Sequence, residues 1–282
     1  MKVISTEYSQ ILAARLAKAK GFDLVDVRFS RFPDGEIYLK TGPVGNEVLV
    51  VGSVTDSDAL VELVLLIDAC QGAEVTLVLP YMGYARQDKQ FSPGEPLSAR
   101  AVAGILSRGI SRAFLVNVHD PAVLRFFDVP ASTLSLAPEI GSYLKASGFR
   151  EPLILAPDDG ASRFATEVAG VNGWDSDHLE KTRLSSEEVR MAPKSLCAKG
   201  RDVVIVDDII STGGTLATAA RLLYDQGARN VYAACVHGVF AGGAYSHLIA
   251  SGIRKVCCSD TIERACSIYT AADLIADGIT GC

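Results

Sequence analysis

Four apolar residues in a row, Val48-Leu49-Val50-Val51, open the stretch VLVVGSVTDSD at residues 48–58, and the arrangement returns in VVIVDDIISTG at residues 203–213. An unbroken apolar run closed by polar residues predicts a strand buried on both faces. Beyond each run the pattern turns helical, over Ala59–Ala69 and Thr215–Tyr224. Gln71-Gly72-Ala73 and Gln226-Gly227-Ala228 mark equivalent helix stops, and second apolar runs follow at Val75–Leu79 and Asn230–Val236. Strand, loop, helix, glycine stop, strand is thus written twice at one spacing. Such alternation predicts mostly parallel sheets flanked by helices, with right-handed crossovers. The expected fold is α/β, in two similar halves related by internal duplication, 1–140 and 141–282. Their border is expected near residues 137–150, where Ala137-Pro138 opens a helix and Gly148 closes it before a strand at Leu153–Ala156. Ile268–Ile279 reads as a closing helix with Ala271, Leu274 and Ile275 on one face.

Composition narrows the class. The 282 residues are 49% hydrophobic and 21% charged, which suits two packed domains and excludes a disordered chain. A net charge of −6 argues against binding nucleic acid through its phosphates. No apolar run approaches the ~20 residues of a membrane span, and MKVISTEYSQ lacks the charged-then-apolar pattern of a signal peptide. A cytoplasmic protein without membrane or nucleic-acid partners is expected. The seven cysteines are odd in number and form no C-x-x-C pair, so reduced, mostly buried thiols are expected.

Candidate chemistry concentrates in VVIVDDIISTGGT, residues 203–215. An apolar strand runs into Asp207 and Asp208, then into Ser211-Thr212-Gly213-Gly214-Thr215, then into a helix. Glycines allow positive φ and close backbone approach. Amides at a helix start suit a doubly charged phosphate, and the hydroxyls add donors. Two carboxylates at a strand end can accept from vicinal ribose hydroxyls or orient water on a metal. Open α/β sheets bind ligands beyond the carboxyl ends of their strands. No Lys follows the glycines, so this is not the G-x-x-x-x-G-K-[ST] phosphate loop.

The segment resembles the phosphoribosyl-pyrophosphate motif shared by phosphoribosyltransferases and ribose-phosphate pyrophosphokinases (phosphoribosyl-pyrophosphate synthetases). That likeness implies Asp207 and Asp208 on the ribose 2- and 3-hydroxyls and Ser211, Thr212, Gly213, Gly214 and Thr215 on the 5-phosphate. Many synthetases carry Asp where this chain has Ser211, so the motif alone does not separate the two classes.

Five further stretches resemble the synthetase in particular, its shorter, archaeal-like form. Phe32-Pro33-Asp34-Gly35-Glu36 reads by itself as a β-turn, and Tyr84-Ala85-Arg86-Gln87-Asp88-Lys89 as a charged loop after a strand. The resemblance implies that Phe32, Asp34, Gly35, Glu36, Arg86 and Gln87 contact ATP, the first group often reaching into a neighbouring subunit's site. His119 is placed at the end of a strand Ala113–Val118, and Asp158 follows the strand Leu153–Ala156. Their implied role is to hold the Mg2+ carried by ATP; Asp159 stands where the family varies. Lys181 and Arg183, two residues apart, share one face if extended. The resemblance makes them the catalytic cations, with Arg183 also on the sugar phosphate. The implied reaction moves a diphosphate group from ATP to ribose 5-phosphate with Mg2+ as cofactor, in a homo-oligomer, dimer or hexamer. A base-using phosphoribosyltransferase explains the residue 207–215 motif but not the duplicated half, the Arg86 loop or the Phe32 turn. A catalytically silent homologue would be expected to lack some of the residues named here.

Overall fold

The computed structural model describes residues 1–90, 92–183, 189–191 and 197–280. The side chains of Lys181–Arg183 and Val189–Met191 lie outside that description. The chain divides into two units, Met1–Ser135 with Asp260–Glu263 and Thr270–Cys282, and Leu136–Ser259 with Arg264–Tyr269.

The first unit contains strands β1 (Lys2–Ser5), β2 (Asp23–Leu24), β3 (Val27–Arg31), β4 (Ile37–Thr41), β5 (Glu47–Val51), β6 (Glu74–Leu79), β7 (Arg112–Val116) and β8 (Ala131–Leu134). Its helices are α1 (Gln10–Lys20), α2 (Ser57–Asp68) and α3 (Ser98–Leu106). The sheet runs β2-β1-β5-β6-β7-β8, every pairing parallel, while β3 and β4 form a separate antiparallel hairpin. Val48–Val51 are at most 1% exposed, as the apolar run requires of a central strand. Leu63, Leu66 and Ile67 of α2 pack with Val50, Leu77, Leu79 and Leu115 in one core. Each such side chain contributes about 1.5–3 kcal/mol through burial.

The second unit repeats the plan. It comprises α4 (Ala137–Ala146), β9 (Leu153–Ala156), α5 (Ser162–Gly170), β10 (Ser176–His178), β11 (Lys181–Arg183), β12 (Val189–Met191), β13 (Asp202–Ile210), α6 (Gly214–Asp225), β14 (Asn230–Gly238), α7 (Ala244–Ala250), β15 (Val256–Ser259) and β16 (Ser267–Tyr269). The sheet runs β10-β9-β13-β14-β15-β16, all parallel, with β11 and β12 as a separate antiparallel hairpin. Strand order is therefore the same in both units, and each carries its hairpin between the second and third sheet strands. Leu155, Ile205, Leu216, Leu223, Val231 and Leu248 share the second core.

Three expectations shift. The acid pair lies inside β13, which continues to Ile210, because the ladder to β14 persists through Ile209 and Ile210. The strand before His119 stops at Val116, since Asn117 turns away at φ 39°. At the C-terminus, Ser267–Tyr269 is a strand and the closing helix α8 starts only at Ala272 (Ala272–Thr280). Its buried face is Ala272, Ile275, Ala276 and Ile279; of the expected face Ala271 and Ile275 are buried, and Leu274 is half-exposed.

The expected division at residues 140 and 141 differs from this at the tail. Helix α8 packs on α1 and belongs to the first unit. Asp260 fixes the return: its fully buried carboxylate accepts from Arg15 Nη1 at 2.5 Å, Thr270 Oγ1 at 2.6 Å and Ala271 N at 2.8 Å. A sequence pattern shows where α8 is apolar, but not which sheet that face covers.

Candidate active site

In the second unit β9 and β13 are adjacent and parallel, with Val203 beside Leu153 and Ile205 beside Leu155. Their carboxyl ends therefore emerge together. Asp158 stands two residues past β9, half-buried in extended backbone, next to the strand that carries Asp207 and Asp208. The Asp208 amide donates to Asp207 Oδ1 at 2.9 Å. Burial, then the neighbouring Asp208 carboxyl, then Asp158 push Asp207 well above the usual carboxylate range. Asp158 is near enough to Asp207 for their charges to interact, and this edge carries a surplus of negative charge, as suits hydroxyl donors or a cation.

Beyond Ile210 the chain enters the hydroxyl-glycine loop. Gly213 takes φ 75° as the residue before α6, and a Cβ there would meet Leu248 Cγ at 3.0 Å. Both constraints demand glycine. Gly213, the residue before α6, has no side chain with which to cap the helix, so the loop of Ser211, Thr212, Gly213, Gly214 and Thr215 carries no built-in anion at that position. The equivalent place in the first unit is closed. There Asp56 caps α2, its carboxylate accepting from the Ala59 amide at 2.9 Å, and Asp58 adds a second negative charge in the first turn. One copy presents an open anion cradle, while the other carries its own anion.

Lys181 and Arg183 lie in β11, whose backbone pairs antiparallel with β12. The hairpin follows β10 directly and so leaves the sheet at the carboxyl edge where the acids sit. Their side chains lie outside the described residues, as do residues 184–188 of the polar segment after them. His178, which sequence reasoning passed over, ends β10 with Nε2 3.9 Å from Asp159 Oδ1. Nothing in the local sequence marks it, because only strand order places it on this edge.

The first-unit residues form two loops and a strand exit. Phe32-Pro33-Asp34-Gly35-Glu36 is the turn of the β3–β4 hairpin, exposed throughout. Its geometry is held by Phe32 N to Glu36 O at 2.9 Å, Gly35 N to Phe32 O at 2.8 Å and Arg31 Nη1 to Gly35 O at 2.9 Å. Gly35 has φ 97°, and Phe32 lies edge-on to Tyr38 with ring centroids 5.5 Å apart. An exposed aromatic on a rigid turn offers a stacking face. Arg86 is exposed, whereas Gln87 Oε1 accepts from Ser98 Oγ at 2.7 Å beside the start of α3. Gln87 thus also has a structural partner. His119 is exposed in the loop after β7, and Asp120 accepts from the Ala122 amide at 2.8 Å.

A doubled parallel sheet with acids and an open helix start at its carboxyl edge defines an α/β protein built to hold a phosphorylated ligand. Comparison with known proteins is specific. Residues 1–109 match the N-terminal domain of ribose phosphate pyrophosphokinase, and residues 139–247 match the phosphoribosyl transferase domain. The ribose-phosphate pyrophosphokinase of Methanosarcina acetivorans is 46% identical over 283 residues, spanning 99% of each chain. That of Methanopyrus kandleri is 42% identical, covering 99% of this chain and 98% of its own. The crystal structure of phosphoribosylpyrophosphate synthetase from Mycobacterium smegmatis matches with a TM-score of 0.85 at 28% identity, over 99% of this chain and 97% of that one. The chain belongs to the ribose-phosphate pyrophosphokinase family. No described helix is long and apolar enough to cross a membrane.

Proposed function

We propose that the chain is a ribose-phosphate diphosphokinase whose sugar-phosphate site is the acid and glycine edge of the second unit. The C1 hydroxyl of ribose 5-phosphate attacks the β-phosphorus of ATP, the bond from that phosphorus to the α–β bridging oxygen breaks, and AMP leaves. The β,γ-diphosphate remains on the sugar as phosphoribosyl pyrophosphate. The observation that carries this reading is the meeting of Asp158, Asp207 and Asp208 beside the uncapped start of α6.

Asp207 and Asp208 accept from the ribose 2- and 3-hydroxyls, which offset the burial and carboxylate repulsion that push Asp207 up. The amides and hydroxyls of residues 211–215 take the 5-phosphate. Transfer of this kind needs little covalent chemistry from the protein and depends on in-line positioning and charge neutralisation. Lys181 and Arg183 are the cations proposed to take charge off the bridging oxygen, and Phe32, Asp34, Gly35, Glu36, Arg86 and Gln87 are proposed to bind ATP.

Mg2+ fits Asp158, because the ion is commonly held by one or two carboxylates together with substrate phosphates and water, while His119 would add a less usual nitrogen ligand. Among the described residues no three His, Cys, Asp or Glu side chains are arranged to hold a metal alone, so nucleotide oxygens and water would complete its shell. Asp158 and His119 are the residues proposed to hold it, and bound Mg2+ would neutralise phosphate charge. A cytoplasmic homo-oligomer, dimer or hexamer, belongs to the same reading; sedimentation velocity reports the assembly.

The test is mass spectrometry of the chain with ATP, Mg2+ and ribose 5-phosphate and no nucleobase. AMP and phosphoribosyl pyrophosphate are expected in equal amounts. A phosphoribosyltransferase or a silent homologue makes neither, and that result would overturn the reading.

A further inference from the structure

Two strands from Asp207, in register through Cys235 of β14, the second unit holds two thiols in contact. Cys258 is the third residue of β15, Cys266 lies in the turn just before β16, and their Sγ atoms are 3.6 Å apart. The approach is fixed by the sheet. The Cys258 amide donates to the Cys266 carbonyl at 3.1 Å, and Ser267 Oγ, 3.5 Å from Cys258 Sγ, donates to the Ser259 carbonyl at 2.9 Å. Cys258 is fully buried and Cys266 half-buried.

The two sulfurs are chemically unlike. The hydrogen bond from Cys258, the local amide and the guanidinium of Arg264 bring Cys266 down to about 7, against the opposing effect of its burial. The same hydrogen bond and its own burial push Cys258 up. Arg264 is itself anchored, with Nε to the Gly238 carbonyl at 3.0 Å and Nη2 to the Val239 carbonyl at 3.2 Å. A partly accessible, acidic thiol touching a buried partner is the arrangement of an attacking and a resolving cysteine.

We propose that Cys258 and Cys266 are a reversible oxidation site, at which Cys266 reacts with a peroxide and Cys258 resolves the product as an intramolecular disulfide. The Cys266 thiolate attacks one oxygen of hydrogen peroxide, the O–O bond breaks, and hydroxide leaves to become water. Cys266 is now a sulfenic acid, oxidised by two electrons, and the peroxide is reduced. The Cys258 sulfur then attacks the Cys266 sulfur, the S–O bond breaks, and a second water departs with the Cys258 proton. The sulfurs must close from 3.6 Å to about 2.05 Å. A dithiol reductant returns both thiols by exchange.

The experiment uses the full chain carrying Cys282→Ser, so that the tryptic peptide 265–282 keeps a single cysteine. The protein is treated with hydrogen peroxide, blocked with iodoacetamide, digested and read by fragmentation mass spectrometry. The expected product joins peptide 256–264 to peptide 265–282 through Cys258, with two hydrogens lost, and dithiothreitol reverses it. In the Cys282→Ser chain Cys266 should be alkylated by iodoacetamide roughly tenfold faster than the exposed Cys197 at neutral pH, and Cys258→Ser should leave a Cys266 sulfenic acid that dimedone traps. A link through Cys257, a Cys266 no more reactive than Cys197, or no thiol loss would each overturn the proposal. Mapping in the Cys282→Ser chain leaves both thiols intact, so it decides the matter even if the Cys258 variant does not fold.

Discussion

Asp207 shows how a binding group is charged against the interest of the empty fold. Its carboxyl is pushed up by burial and by Asp208 and Asp158, so the folded state binds that proton more tightly than the unfolded chain does. Stability linked to this group is full below the unfolded carboxyl value near ~3.9 and is lost as pH rises through the higher folded value. Asp207→Asn is therefore expected to raise the Tm of the ligand-free protein at neutral pH by roughly 2–4 °C and to flatten its fall from acid toward neutral pH. The same change should weaken ribose 5-phosphate binding, and Asp207→Asn with Asp208→Asn more so. Differential scanning calorimetry and titration calorimetry read the two effects; a lower Tm together with unchanged affinity would remove the acid pair from the site. Lys181→Ala is expected to retain sugar-phosphate binding but lose about 100- to 1000-fold in turnover, as for loss of one charge-stabilising donor. AMP release within threefold of the unsubstituted chain would end that assignment.

The two copies of the strand-loop-helix element have opposite uses. At α6 the preceding residue is Gly213, whose left-handed backbone strains any side chain and whose Cβ would crowd Leu248. Gly213→Ala is expected to cost about 1–3 kcal/mol in urea denaturation and to weaken ribose 5-phosphate binding as well. If stability drops while affinity holds, the loop is a turn and not a cradle. At α2 the Asp56 carboxylate does the capping, so Asp56→Ala should cost about 1 kcal/mol and leave sugar-phosphate affinity untouched. The hairpins repeat as well. β3–β4 carries the Phe32 turn and β11–β12 the segment after Lys181 and Arg183, at the same point of each unit's strand order. The turn at Phe32–Glu36 was legible in the sequence, but the strands that it and Lys181–Arg183 belong to were not. β3 and β4 do alternate, with Val27 and Leu39 packed on the first core, but runs of five residues are too short for that alternation to be decisive.

For the molecule as a whole, the C-terminal segment decides how the chain is partitioned. Asp260 accepts three hydrogen bonds in full burial, and α8 covers α1. Asp260→Ala removes the acceptor that Arg15, Thr270 and the Ala271 amide share. It is expected to cost about 3 kcal/mol and to open the segment after Thr270 to limited proteolysis. Unchanged cleavage there would mean that the apolar face of α8 suffices.

Much of the rest was determined by the sequence itself. Unbroken apolar runs at 48–51 and 203–206 can be satisfied only between two layers of helix, and their recurrence with the same glycine stops led to a doubled parallel α/β fold. The residue 207–215 motif likewise carried its chemistry in local composition, since acids, hydroxyls and glycines in that order have few other uses. What only the tertiary structure decided depends on distant pairings. Asp158 meets Asp207 because β9 lies beside β13, Cys258 meets Cys266 across β15 and β16, and α8 returns to the first unit. Strand neighbours are chosen by packing the whole chain at once, and no window of residues contains that information.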